Sequence, residues 1–192
     1  MTNTTSTTGT PRAGEQSDLL ETLATHRHFL RFTVRDLSDE QALQRTTASA
    51  LTLSALIKHV ADTEEGWVDF IIGGPSAMGG AESWNDGDPD HSGGDGDGDG
   101  WPEGEDPRFV IEPGTTLAGL LERYADVARR TDELVATVDL DASHPLPEAP
   151  WFEPGARWSA RRVLLHIIAE TAQHAGHADI IRESLDGAKS MG

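Results

Sequence analysis

Apolar residues recur along the chain in four stretches with the three-and-four spacing of an amphipathic helix. Leu19, Leu20, Leu23, Phe29, Leu30 and Val34 mark the first, which runs to about Arg35. Ser17 is placed to cap it, with Asp18 and Glu21 in its first turn. Ser38-Asp39-Glu40-Gln41 fits a capping box and opens a short helical turn. Leu53, Leu56, Ile57, Val60, Trp67, Val68 and Ile71 form the inward stripe of the second long helix, which stops at Gly73-Gly74-Pro75. The third, capped by Thr115 or Thr116 and lasting to about Val138, turns Leu117, Leu120, Leu121, Tyr124, Val127, Ala128, Leu134 and Val135 inward. The fourth runs from Arg161 to Asp186 without a proline. Ser159 caps it, Trp158 can pack on Val163 as a hydrophobic staple, and Asp186-Gly187 ends it.

Between these stretches the pattern lapses. Met1 to about Glu15 is rich in Thr, Gly and Pro and reads as a disordered tail. Periodicity vanishes from Gly73 to Gly114, and Asp139 to Arg157, with Trp151 and Phe152, reads as a loop. No convincing strand and no internal repeat is evident. The expected architecture is all-α: a four-helix bundle over residues 16–187, with the tail at 1–15 and an acidic Gly/Asp-rich insert at 75–114.

Charge and composition narrow the function. The net charge is −18, from 33 acidic and 15 basic residues, which argues against nucleic acid or an anionic membrane as partner. Part of the excess is local. The D-G-D-G-D-G tract inside the insert invites comparison with calcium loops, but Pro89 and Pro102 flank it and no glutamate closes the pattern. A solvated acidic loop is the better reading. The absence of cysteine excludes disulfides, thiolate metal sites and a cysteine nucleophile. With no apolar run of membrane-spanning length and no apolar leader, a cytoplasmic protein is expected.

The fourth helix carries the candidate chemistry. His166, Glu170 and His174 recur every four residues and climb one side of it, and His177 follows one turn later. On a helical wheel Leu164, Ile168, Thr171, Ala175 and Ala178 share a stripe, with His174 at its edge and Glu170 further round. An i, i+4 pair on a helix can grip one ion from the same side, and imidazole with carboxylate suits zinc, nickel, iron or manganese, zinc first. Glu170–His174 is the preferred pair. A third ligand should come from a facing helix, where His59 is the best placed histidine and His26 and His28 are reserves. Three protein ligands leave a position open for water or substrate.

Each of these residues has a plainer reading. A lone His59 is more often a satisfied core-edge histidine, and Glu170 could pair with an arginine. His166 and His177 read as solvent-facing groups or as supports of the ligands. Arg182, near the apolar stripe, could anchor a substrate carboxylate or sit in an internal ion pair. Trp67 and Trp151 could wall a pocket or belong to the packing.

The helix-four string H-I-I-A-E-T-A-Q-H-A-G-H-A-D-I-I-R-E-S-L-D-G resembles the signature of the DinB-like superfamily, in its actinobacterial subgroup known as domain of unknown function 664. The resemblance extends to S-D-L-L-E-T-L-A-T-H-R-H-F-L, S-A-L-T-L-S-A-L-I-K-H-V and F-V-I-E-P-G-T-T-L-A-G-L-L-E-R-Y. It implies a four-helix bundle holding a divalent metal with one histidine from helix two and a pair from the last helix. By position these are His59, Glu170 and His174. Glutamate at the first position of the pair resembles the mycothiol-dependent maleylpyruvate isomerase branch. The resemblance further implies a low-molecular-weight-thiol cosubstrate such as mycothiol, S-transferase or isomerase chemistry on a small electrophile, and a homodimer. The competing expectation is a stress-related bundle that binds metal without catalysis.

Overall fold

The computed structural model describes residues 13–78, 106–149 and 151–190. Its main body is four long helices: α1 (Ala13–Phe32), α3 (Leu53–Gly73), α4 (Leu117–Val135) and α5 (Ala160–Asp186), with a single helical turn, α2 (Asp39–Ala42), after α1. Helix α5 packs on both α1 and α3, α3 also packs on α4, and α4 returns to α1, closing a four-helix bundle.

Local chemistry sets most of the ends. The Thr52 side chain caps α3, Thr116 caps α4 and Ser159 caps α5, each accepting from a backbone N–H three residues on. The capping box at Ser38 and Gln41 forms as the sequence suggests. Gly187, in the left-handed conformation at φ 80°, ends α5.

The start of α1 differs from expectation. Ser17 lies inside the helix rather than capping it. Tertiary contacts hold the earlier turn: Gln16 Nε2 donates to Val135 O at 2.8 Å, and Arg161 Nε donates to Glu15 at 2.5 Å. Residues 13–15 of the expected disordered tail are therefore helical, and residues 1–12 lie outside the described residues. At its other end α1 stops at Phe32, three residues short of the expected Arg35.

Two further corrections concern the connections. The loop between α4 and α5 contains a short antiparallel ribbon, β1 (Ser143–Pro145) and β2 (Arg157–Ser159), with His144 opposite Trp158. Three-residue strands are too short to leave a readable alternation. Gly74, at φ 73°, ends α3 beneath this ribbon, and a Cβ there would meet the His144 ring at 3.0 Å. The expected insert is also shorter than 75–114 at both ends. Pro75–Ala77 and Pro107–Phe109 form 3₁₀ turns, Met78 is buried, and Phe109 and Ile111 pack on the core. Residues 79–105, with the D-G-D-G-D-G tract, lie outside the described residues.

The core falls into two apolar clusters, one around Leu30, Leu56, Val60, Tyr124 and Ile181, the other around Leu23, Trp67, Phe70, Val163 and Ile167. Polar residues fall between them along the helices. Glu64, fully buried on α3, receives Arg27 Nε from α1 at 3.1 Å and the Thr131 hydroxyl from α4 at 2.5 Å. A second Arg27 nitrogen completes a two-pronged contact with Glu64, and a third donates to Asp132 at 2.8 Å. The apolar pattern gave no sign of Glu64 because it sits within the stripe of α3.

Candidate metal centre

Packing of α3 against α5 decides what His59 can reach. Leu56 and Val60 are fully buried, which turns His59 to the edge of the seam, half-buried and facing α5. On α5 the buried line runs through Ile167, Thr171, His174, Ala178 and Ile181. That is slightly rotated from the wheel estimate, so His174 lies within the buried face and Glu170 beside it.

One ligand atom from each of His59, Glu170 and His174 lies within 4.8 Å of the others, the one such cluster of potential metal ligands among the described residues. The His59 and His174 rings meet edge to face with centroids 4.8 Å apart. Glu170 Oε2 lies 3.5 Å from His174 Nε2, and its other oxygen lies 3.9 Å from His166 Nε2. The two reserves on α1, His26 and His28, instead contact Phe29 and Phe32.

The electrostatics favour neutral donors beside an ionised carboxylate. Burial is the main cause that depresses the His59 pKa to about 4, helped by His174 and Arg108. Burial also lowers the pKa of His166. The contact with His174 is the main cause holding the Glu170 carboxyl below its ordinary value. A histidine must be neutral and a carboxylate ionised to ligate a metal, and at neutral pH His59 and Glu170 are each in that state. His177 adds a constraint: its Nδ1 lies 3.5 Å from Nδ1 of His174. In the tautomer that leaves Nε2 of His174 available to a metal, its proton sits on Nδ1, where His177 can accept it.

Two residues at the site escaped the sequence reading. Phe109 lays its ring 4.5 Å from His59 and 6.4 Å from His174, covering the imidazoles. Arg108 beside it is held by both oxygens of Asp106, and its positive charge acts on His59 and Glu170. Both stand where the pattern fades after the insert, so periodicity could not single them out.

Trp67 is buried, stacks on Trp158 with centroids 4.9 Å apart, and meets the His166 ring at 5.0 Å. Arg182 is buried away from the cluster, where it donates to Thr33 O at 2.8 Å and Arg35 O at 2.7 Å and pairs with Asp186 at 2.9 Å. It thereby satisfies carbonyls just past the end of α1, and the internal ion pair is the reading that fits. A wide-mouthed surface hollow of about 530 Å³ bordered by Arg31, Arg35, Asp39 and Leu121 shares no residue with the cluster.

The model of the mycothiol-S-transferase family matches residues 18–187. The chain belongs to this family, within the DinB-like superfamily. The match covers α3, α4 and α5 whole and α1 from Asp18 onward, and includes every residue of the cluster. No curated protein matches the sequence. Among solved structures, a conserved protein from Enterococcus faecalis is 15% identical, with a TM-score of 0.62 over 90% of this chain and 98% of that one. At that identity the likeness speaks for the fold alone.

Proposed function

We propose that the protein is a divalent-metal-dependent S-transferase that joins a low-molecular-weight thiol of the mycothiol type to a small electrophile. The observation that carries this reading is the convergence of His59, Glu170 and His174 from two helices, within a chain of the mycothiol-S-transferase family. Two imidazoles and a carboxylate are a donor set that fits zinc first, with nickel, iron or manganese also compatible. Bound there, the ion would supply Lewis acidity that keeps a thiol ionised at neutral pH.

The chain's own groups supply the rest. His59 and His174 offer uncharged nitrogens and Glu170 one negative charge, so a bound dication keeps net positive charge toward an anionic sulfur. Phe109 shields the imidazoles from water on one side. His177 holds the orientation of His174 through the contact between their Nδ1 atoms. In the transfer itself a carbon–sulfur bond forms, the thiol proton passes to solvent, and the electrophile's leaving group departs with its electron pair. The absence of cysteine fits a sulfur brought by the cosubstrate. Among the described residues no helix is long and apolar enough to cross a membrane. A cytoplasmic, homodimeric enzyme completes the proposal.

Purified protein reconstituted with zinc and given mycothiol plus 1-chloro-2,4-dinitrobenzene tests it. Metal-dependent conjugate formation that His174→Ala abolishes is expected. Stoichiometric metal without conjugate formation across several electrophile classes would favour the non-catalytic metal-binding bundle instead.

A further inference from the structure

The aromatic side chains of the β1–β2 ribbon and its loop run from the surface to the metal cluster. Trp151, 62% exposed, meets Phe152 at a centroid distance of 6.1 Å. Phe152 meets Trp158 at 5.8 Å, and Trp158 meets His166 at 5.2 Å. His166 Nε2 in turn lies 3.9 Å from Glu170 Oε1, with both side chains partly open to solvent. The inner part of the row has a structural use, since Trp158 stacks on buried Trp67. Trp151 carries the row out to the surface as a largely exposed ring. Arg162, exposed on the first turn of α5, lies over the Trp158 ring at 4.8 Å and brings N–H donors to the same strip.

A line of rings edged by a few donors is a surface for a molecule whose faces are apolar and whose rim carries hydroxyls. Sugar rings have that character, because their axial C–H groups pack on aromatic faces while their hydroxyls take hydrogen bonds. Mycothiol consists of a cysteine in amide linkage to a glucosamine–inositol pseudo-disaccharide. Its reactive sulfur and its two saturated rings thus lie at opposite ends of one molecule, as the cluster and the exposed tryptophan do here.

We propose that Trp151, Phe152, Trp158, His166 and Arg162 form the subsite for the sugar end of the thiol cosubstrate, which lies along this strip with its cysteine reaching toward Glu170. The inference rests on the reading of the chain as a thiol transferase, and it assigns recognition of the cosubstrate to the ribbon rather than to the metal ligands.

The test is titration of the zinc-loaded full chain with the glucosamine–inositol pseudo-disaccharide that lacks the cysteine, followed by tryptophan fluorescence. Saturable quenching is expected, weakened about fivefold to tenfold or more in Trp151→Ala, a change at an exposed position that leaves the core intact. The mycothiol KM should rise by a similar factor in that variant, with kcat little changed. The absence of saturable quenching, together with an unaltered mycothiol KM in Trp151→Ala, would overturn the subsite. Turnover of mycothiol without competition from the pseudo-disaccharide would leave the transferase reading standing and remove the subsite. Binding of the pseudo-disaccharide without turnover of mycothiol would do the reverse.

Discussion

His59 on α3 and His174 on α5 hold their imidazoles edge to face with centroids 4.8 Å apart, at the seam where the two helices pack. Two imidazoles that close repel each other once both are protonated, and burial already disfavours the charge on His59. The arrangement is tolerable neutral and favourable around a shared cation.

His177 should tune the site without belonging to it. Among the described residues it meets the cluster at His174, with the two Nδ1 atoms 3.5 Å apart. His177→Ala is expected to lower zinc affinity by about 10–100-fold while leaving one ion per chain at saturation, measured by competition with a chelating dye. Loss of all binding would make His177 a ligand.

Acid should destabilise the metal-free chain through His59. Its folded pKa of about 4 lies below the ordinary 6.5, so between these values the unfolded chain takes up a proton that the folded chain refuses. The stability contribution is complete above pH 6.5 and is lost as pH falls toward 4. Burial lowers His166 and gives the same sign. Glu170, held low chiefly by His174, adds stability above its ordinary value of 4.5 that disappears as pH drops through its folded value. Thermal melts from pH 7 to 4.5 should show a shallower decline for His59→Gln than for the parent chain. Identical slopes would contradict the assignment.

Inside the bundle, Glu64 ties Arg27 of α1 to Thr131 of α4. Glu64→Ala leaves a buried guanidinium with only the half-exposed Asp132 and should cost about 3–5 kcal/mol in urea denaturation. Replacing both partners, Arg27→Met with Glu64→Leu, should recover most of that loss, because the desolvated charge goes with the pair. A loss below about 1 kcal/mol for the single variant would mean that the pair contributes little.

The sequence made the bundle legible because apolar spacing and caps act locally. Thr52, Thr116 and Ser159 stand where side-chain oxygens can meet the first free N–H groups, and each does so. The trio His59, Glu170 and His174 was legible for a related reason: helical spacing fixes Glu170 and His174 on one side, and His59 was the best placed histidine on a facing helix. What escaped depends on contacts distant in sequence. Glu64 has a role only once Arg27 and Thr131 are brought to it, and Phe109 reads as loop until it covers His59. The start of α1 is not readable locally because Gln16 and Glu15 draw their partners from Val135 and Arg161. A cap at Ser17 was locally reasonable and tertiary structure overrode it.

Metal content measured alongside thermal stability addresses the central claim most directly. The parent chain should take up one zinc ion per chain and melt at a higher temperature as zinc is added, by about 2.7 kcal/mol of linkage at a hundredfold excess over Kd. His59→Ala, Glu170→Ala and His174→Ala, three changes on two helices, should each lose both the ion and the shift. Stoichiometric zinc retained in His59→Ala together with either α5 variant, or no zinc in the parent chain after reconstitution, would contradict a single ion shared between α3 and α5.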